Sequence, residues 1–216
     1  MGKNALRSCS SLDTLSIPFV GDKLENPTIY HIGYLFGADT YAYNSNYFPS
    51  SIKTLKITNA TSLGEGALYN LANLVSVYLN AEITSFGKKS FQASNSLANV
   101  YFEGDIEDWC NIKLDNELST PMCYAKHFYI YNSDTENYEE AKNIVIPDSI
   151  TTISDYKFYG FNNMISIEIP DSVTSIGQYA FYNCSSLESL EIPNSVTSMG
   201  KNALRSCSSL DTLSIP

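Results

Sequence analysis

The chain has 216 residues, of which 44% are hydrophobic, so it can bury a continuous core as one or two compact domains or as one elongated stack of repeats. Its net charge of −10 and its pI near 4.5 argue against a nucleic-acid partner and an anionic membrane surface, because both attract clustered Lys and Arg. No apolar run is long enough to span a bilayer, so we expect no membrane insertion.

The first and last segments of the chain are identical: residues 1–18 and 199–216 both read MGKNALRSCSSLDTLSIP. An identity of this length indicates an internal repeat, and we expect the chain to be one period of a longer tandem array. Repeat units at the ends of such a stack lack a neighbour on one side. Leu6 and Leu204 lie near these uncapped ends. We therefore expect copies of the chain to associate end to end.

Residues 19–51 form an insertion that is rich in aromatic side chains. Tyrosine anchors many binding loops because its ring is large and rigid. Tyr34, Tyr41 and Tyr43 are therefore candidate ligand contacts. The alternative is that the rings of the insertion pack down on the flank of the fold as a satellite core.

Residues 52–102 hold degenerate repeats, which cover 56–79 and 79–102. Each ends in a short run of alternating apolar residues, a pattern that predicts a strand with one buried face. In this register Tyr78 and Tyr101 point away from the core, so they are candidate ligand residues on the surface of the sheet.

Residues 103–146 depart from the repeat period. Asp105, Glu107 and Asp108 cluster beside Trp109, a grouping that a pair of sugar-cleaving carboxylates would need, but a solvated acidic turn is the preferred interpretation. The step that ends near Ile146 is too short for a full repeat. It predicts a hairpin with a polar tip at 132–137.

Residues 147–216 hold the regular repeats, in which Ile-Pro recurs every 23 residues, at 146–147, 169–170, 192–193 and 215–216. Leu190 and Ile192 predict the buried face of a short strand, which Pro193 ends because proline has no N–H for the ladder. The VTSIG segment predicts a second extended stretch that turns at a glycine. The QYAFYN segment at 178–183 predicts one helical turn with its alanine and phenylalanine pointing inward.

Nine strands, one for each repeat step, are predicted along the chain. They end near Ile17, Ile57, Leu79, Phe102, Ile130, Ile146, Ile169, Ile192 and Ile215. One unit buries too little apolar surface to fold alone, so backbone ladders and buried faces between units must stabilise the stack. The pattern therefore predicts a solenoid with one parallel strand per coil.

The columns I-P-x-S-V-T-S-I-G-x-x-A-F-x-x-C-x-S-L-x-x-L-x-I-P resemble the BspA-type leucine-rich repeat, also called the Treponema pallidum-type repeat. The match is specific over 146–216 and 1–18 and degenerate over 52–102, while 103–147 and 19–50 resemble modules found between such repeats. The resemblance implies an α/β leucine-rich-repeat solenoid, a single domain over 1–216. Such a fold is a β-dominated horseshoe or right-handed coil, with one parallel strand per repeat and short helical turns on the other side.

The resemblance also implies a secreted or cell-surface protein, because members of this family include adhesins that bind host extracellular matrix proteins. No catalytic residue and no cofactor belongs to the family pattern, so no enzyme is expected. Glu168 and Glu191 join Tyr78 and Tyr101 as tentative ligand residues on the concave sheet, the face that solenoids use for binding. We therefore expect a module that binds a host matrix protein or glycan. The alternative is a structural spacer with no ligand of its own.

The five cysteines divide into two groups. Cys9, Cys184 and Cys207 share one repeat column, which holds leucine, serine or phenylalanine elsewhere, so buried inert thiols are the preferred interpretation. A disulfide between Cys184 and Cys207, and one between Cys110 and Cys123, are left open. No Cys/His spacing is typical of a metal site.

Overall fold

The computed structural model describes residues 1–24 and 27–215, so Pro216, the last proline of the Ile-Pro series, lies outside the described residues. The strands in chain order are β1 (Thr14–Ile17), β2 (Thr54–Ile57), β3 (Ser76–Leu79), β4 (Ser85–Phe86), β5 (Asn99–Phe102), β6 (Lys113–Leu114), β7 (His127–Asn132), β8 (Asn137–Glu140), β9 (Asn143–Val145), β10 (Thr152–Ile153), β11 (Ser166–Glu168), β12 (Ser175–Ile176), β13 (Ser189–Glu191), β14 (Ser198–Met199) and β15 (Thr212–Ser214). The helices are α1 (Asn44–Tyr47) and α2 (Ile106–Asn111), with 3-10 helices at Ile32–Phe36, Tyr41–Tyr43 and Pro121–Cys123.

The nine predicted strands are all present, and their parallel pairing keeps equivalent residues in columns. Leu15 pairs with Leu55, which pairs with Val77, and the column continues through Val100 to Phe128. All five side chains are buried and belong to one hydrophobic core that runs through the stack. The alternating residues of the same strands face solvent and form what we call the open sheet face.

The predicted second extended stretch is also confirmed. β10, β12 and β14 form a three-stranded parallel sheet, and β4 pairs with β6 in the same way. Each of these two-residue strands lies within one coil and pairs with the strand of the next coil, on a second side of the solenoid. Backbone ladders therefore connect neighbouring units on two sides.

The back of each regular coil differs from the prediction of a helical turn. Residues 178–183 form turns. On this side of the solenoid, main-chain N–H groups donate to the following coil: Phe158 N–H to Ala180 O at 2.7 Å, and Phe181 N–H to Ala203 O at 2.8 Å. Tyr179 and Asn183 adopt left-handed φ values of 55° and 60°. A helical turn would direct its donors along its own axis, whereas these turns aim them along the stack, where buried groups need partners.

The predicted hairpin is confirmed and has a consequence that the sequence did not reveal. β7 and β8 pair in an antiparallel hairpin, with residues 133–136 at its tip. Because β8 takes the position beside β7, β9 pairs only with β11, and the expected single stack of nine strands is split into two sheets. The core crosses this break, since the rings of Phe128 and Phe161 lie 5.0 Å apart.

The insertion supplies the back of the second coil. Leu6 N–H donates to Leu35 O at 2.8 Å, and Ile32 N–H donates to Ala67 O at 3.0 Å. These are the coil-to-coil bonds that the regular repeats make on the same side. The insertion therefore continues the solenoid, and does not project from it as a separate loop.

Candidate functional site

The middle of the open sheet face carries a stack of tyrosines. Tyr78, Tyr101 and Tyr129 occupy one register position on neighbouring strands. The rings of Tyr78 and Tyr101 are 4.3 Å apart with an interplanar angle of 9°, and those of Tyr101 and Tyr129 are 4.7 Å apart at 12°. Neighbouring strands lie about 4.7–4.9 Å apart, close to the centroid separation of offset-stacked rings, so the parallel register itself produces the stack.

The hairpin adds more tyrosines to this stack. The ring of Tyr138 meets the rings of Tyr78 and Tyr101 edge-on, at 5.6 and 5.2 Å, and Tyr131 lies 5.4 Å from it. At the other end, Lys56 Nζ lies 4.8 Å above the Tyr78 ring. Burial raises the pKa of Tyr138 to about 12 and also raises the pKa of Tyr101. The phenols therefore stay protonated and can donate hydrogen bonds at neutral pH.

Sequence reasoning identified Tyr78 and Tyr101 but missed Tyr129, Tyr131 and Tyr138. The signal for Tyr129 was available, because it follows the same strand register as the other two. The place of Tyr138 depends on how the hairpin lies against β3 and β5, which no sequence pattern encodes.

Glu168 and Glu191 lie on the other sheet, in neighbouring strands β11 and β13. Both side chains are exposed and line an open groove of about 610 Å³, together with Ser166, Ser189 and Ser214. The sheet break separates this groove from the tyrosine stack. The predicted binding face thus consists of an aromatic part and an acidic part that belong to different sheets.

The tyrosines of the insertion do not share one environment. Tyr43 is 52% exposed, whereas Tyr34 is half-buried and packs against the core. The Tyr41 ring lies on Gly66, where an added Cβ would come within 2.3 Å of it, and meets the ring of Tyr69 at 5.4 Å. A satellite core and a solvent-facing surface thus both occur in the insertion.

A buried polar network anchors the insertion. Asn44 is fully buried, and its Oδ1 accepts from the Gly33 N–H and from His31 Nδ1, both at 3.0 Å. Its Nδ2 donates to the main-chain oxygens of Gly66 and Tyr69, at 3.3 and 3.2 Å. Since an amide oxygen only accepts, the proton of the neutral imidazole sits on Nδ1. Burial lowers the pKa of His31, which favours this neutral ring.

The acidic cluster beside Trp109 is the start of helix α2. Asp105 Oδ1 accepts from the Asp108 N–H at 2.8 Å, and Asp108 Oδ2 accepts from the Asp105 N–H at 3.1 Å. This is a reciprocal capping box. The two carboxylates are exposed, as the interpretation of a solvated acidic turn predicts, but they lie at the start of a helix and cap its N-terminus.

Lys157 is a buried amine that the sequence did not suggest. It occupies the repeat position of Ala180 and is only 1% exposed. Its Nζ donates to the main-chain oxygens of Trp109, at 3.1 Å, and Ile112, while the Trp109 indole donates back to Lys157 O at 3.2 Å. Burial lowers the pKa of Lys157 to about 8. The side chain thus joins helix α2 to the regular repeats.

All five cysteines are free thiols, so neither of the disulfides left open is formed. Cys184 Sγ and Cys207 Sγ each donate to a main-chain oxygen of the preceding coil at 3.2 Å, and Ser94 Oγ makes the equivalent bond at 2.9 Å. At these three positions the column thus places a small donor, whereas in other coils it holds leucine or phenylalanine. Burial raises the pKa of Cys110 to about 11 and that of Cys123 to about 12, which disfavours reactive thiolates at these two positions.

Two kinds of feature are absent from residues 1–24 and 27–215. Among them, no three His, Cys, Asp or Glu side chains are grouped so that they could hold a metal ion. Within the same residues, no helix combines the length and the apolar character needed to cross a bilayer.

Solved structures of two bacterial proteins are similar to this chain. A leucine rich cell surface protein from Faecalibacterium prausnitzii has a TM-score of 0.52 and 20% identity, over 94% of this chain and 47% of its own. A leucine-rich repeat protein from Bacteroides ovatus has a TM-score of 0.52 and 18% identity, over 94% of this chain and 45% of its own. The chain thus spans about half the length of these structures, and the likeness shows a shared fold.

None of the curated proteins matches this chain. The profile of the BspA type leucine rich repeat region, by contrast, matches residues 39–116 and 129–216 in 6 copies. The matched residues include β2 to β6, β7 from Tyr129 onward, and β8 to β15. With more than half of its length covered by these repeats, the chain belongs to the BspA-type leucine-rich-repeat family.

Proposed function

We propose that the chain is a non-catalytic recognition module of a secreted or cell-surface protein, and that it binds a host extracellular protein through the open sheet face. The tyrosine stack formed by Tyr78, Tyr101 and Tyr129 carries this proposal, because its rings are half-buried yet lie on the solvent side of the sheet. The similar structure from Faecalibacterium prausnitzii is itself described as a cell surface protein, which supports the location.

The geometry of the stack favours a protein over a glycan. Sugars bind aromatic side chains through the ring face, but both faces of Tyr101 are covered by its neighbours and one face of Tyr78 is covered by Lys56. What remains of Tyr78 and Tyr101 is their ring edges and phenol hydroxyls, which suit the polar groups of a protein surface. The exposed Glu168 and Glu191 add a preference for a basic patch on the same partner.

The first test separates hydroxyl contacts from ring packing. The double variant Tyr78→Phe/Tyr101→Phe keeps the stack and removes two hydroxyls, so capture of immobilised fibronectin or fibrinogen should weaken about tenfold or more if the hydroxyls contact the partner. Tyr47→Phe, at an exposed tyrosine of the insertion that is not a candidate ligand contact, is the matched control and should bind like the parent. Unchanged capture by the double variant would remove the open sheet face from the proposal.

The second candidate function is a structural spacer. The continuous backbone ladders on several sides of the solenoid support it, because such a stack resists bending without any ligand. Absence of binding to matrix proteins and to a glycan panel, by a folded chain, would favour this alternative.

We also propose that copies of the chain associate end to end through the last coil. Leu213 is 43% and Ile215 is 58% exposed, whereas their sequence equivalents Leu15 and Ile17, which β2 covers, are 7% and 3% exposed. These two repeat positions are therefore buried when a further strand pairs with their coil, and exposed when none does. The edge of β15 is unpaired on this side, so a second copy can cover it.

Sedimentation velocity across a concentration series checks this association. We expect the parent to form larger species and Leu213→Lys to remain monomeric, since a charge on an apolar strand edge opposes pairing. Thr212→Lys, an exposed change on the same strand, serves as the control for added charge. A parent that stays monomeric at every concentration would refute the proposal.

A further inference from the structure

The break between the two sheets leaves a groove, which we call the seam groove. It has a volume of about 370 Å³, within the range of ligand-binding clefts. Its apolar lining comes from Ile106 of helix α2, Ile130 of β7 and Ile144 of β9, and Glu139 of β8 stands on its polar side. The groove adjoins the tyrosine stack, because Tyr131 of the hairpin also lines it, but its apolar floor is made of isoleucines that do not belong to the stack.

One wall of the seam groove is a strand with an unpaired edge. Ser166 N–H donates to Lys142 O at 3.2 Å, and Ile146 N–H donates to Glu168 O at 3.0 Å, so the even-numbered residues in and beside β9 direct their backbone groups to β11. Successive residues of a strand point their N–H and C=O to opposite edges. The backbone groups of Asn143, which lines the groove, and of Val145, the next odd-numbered residue of the strand, therefore point away from β11, to the groove side of β9. In the part of the chain that the structure describes, no protein group is bonded to them there.

The opposite wall, formed by β8, is satisfied in part. Ala141 N–H donates to Phe128 O at 2.9 Å, which places Tyr138 and Glu140 on the groove side of β8. Tyr138 N–H is taken by the Asn137 side chain at 2.9 Å, and Glu140 O accepts from Lys142 N–H at 2.9 Å. Two of the four outward backbone groups of Tyr138 and Glu140 are thus bonded, whereas none is bonded on the outer side of β9 among the described residues. The edge of β9 is therefore the more open of the two, and a partner would have to supply backbone donors and acceptors to it.

We propose that the seam groove binds an extended peptide segment of a partner protein, which adds to β9 as a further strand. Alternate side chains of this segment are apolar, because they meet Ile106, Ile130 and Ile144. The side chains between them are basic, because Glu139 flanks the groove and Glu168 lies beside Val145 on β11. The free backbone groups of β9 provide the attraction, and the isoleucines and glutamates select the sequence.

Proline at position 145 tests the backbone contact alone. Val145→Pro removes an N–H on the groove side of β9 and leaves the β9–β11 ladder intact, because that ladder uses the even-numbered residues. The preceding Ile144 lies in a strand, the conformation that a residue before proline prefers. Val145→Thr keeps both the N–H and the branched shape, so it is the matched control.

The probe is a fluorescent eight-residue peptide of alternating lysine and valine, followed by anisotropy. We expect saturable binding to the parent and to Val145→Thr, and binding to Val145→Pro weakened about tenfold. A peptide of the same composition with N-methylated backbone positions should not bind. Equal binding of Val145→Pro, or equal binding of the methylated peptide, would overturn the proposal and leave charge attraction as the cause.

Hydrogen exchange gives a second readout if Val145→Pro does not fold. The amides of Asn143 and Val145 in the parent should exchange more slowly when the peptide is present, and the amide of Thr212 on the distant edge strand β15 should not. No added protection at β9 would contradict strand addition. The same experiment with a second unlabelled copy in place of the peptide distinguishes self-association: protection of β9 by the copy alone would also overturn a partner peptide as the occupant.

Discussion

The free energy of unfolding of the parent protein should gain a contribution from Lys157 between pH 8 and pH 10. Replacing Lys157 with methionine should abolish this gain. The Lys157 amine is 1% exposed and contacts main-chain oxygens instead of a carboxylate, so burial lowers its pKa from 10.5 to about 8. Between these two values the unfolded chain binds more protons than the folded chain. The free energy of unfolding of the parent therefore increases with pH in this window and is lower below pH 8.

The size of this effect follows from the shift in pKa. A depression from 10.5 to about 8 corresponds to about 3 kcal/mol of stability gained across the window. Buried thiols and phenols whose pKa values are raised, such as Cys110 and Tyr138, act in the opposite direction at high pH. The contribution of Tyr138 is common to parent and variant. The charge of Lys157 lowers the pKa of Cys110, so both proteins are compared in a Cys110→Ala background, in which the difference isolates Lys157.

Urea unfolding at a series of pH values measures this difference. The parent-minus-variant free energy should rise from pH 7 to pH 10 for Lys157→Met. It should stay flat for Lys201→Met, because Lys201 is exposed on the last regular coil. A flat difference for Lys157→Met would mean that the buried amine does not carry the depressed pKa.

Asn44→Ala should lower the free energy of unfolding of the insertion by about 3–5 kcal/mol. This is the largest loss that we expect from a single substitution in the insertion. The alanine would leave the Gly33 N–H, the main-chain oxygens of Gly66 and Tyr69, and the His31 ring without their buried partner. Each buried polar group left unpaired costs its desolvation free energy. Because Gly66 and Tyr69 belong to the next coil, the insertion should also detach from the solenoid.

Limited proteolysis and hydrogen exchange would locate the effect. Cleavage between residues 30 and 50 should accelerate strongly in Asn44→Ala, while β11 to β15 should keep their protection. Asn46→Ala removes an exposed asparagine from the same helix and should behave like the parent. If both variants are cleaved at the same slow rate, the buried network does not hold the insertion in place.

The strands and their register could be predicted because each is a local pattern repeated many times. Leu190 and Ile192 alternate with polar residues, and proline follows, so one coil specifies a strand by itself and its neighbours repeat the same arrangement. The tyrosine stack follows in part from this register, since Tyr78 and Tyr101 lie at equivalent positions. The hairpin was also predictable, because the step that ends at Ile146 is too short for a coil.

The back of the coils was predicted less well for a physical reason. The segment around Ala180 and Phe181 has the inward-facing pattern of a helical turn, and both side chains are buried as predicted. Hydrogen bonding to a neighbouring coil competes with bonding within a turn, and the left-handed Tyr179 redirects the donors to that neighbour. A single-unit pattern carries no information about this competition.

By itself, the sequence determined the repeat, its strands, the buried columns and the family, because each follows from short-range patterns that recur along the chain. Only the tertiary structure decided where distant segments meet. It placed Tyr138 on the tyrosine stack, Lys157 against helix α2 and Asn44 beneath the insertion, and it opened the unpaired edge of β9. These contacts form where the repeat period is interrupted. At such places the positions of side chains depend on how segments of different sequence pack against one another, and the repeat pattern does not encode that packing.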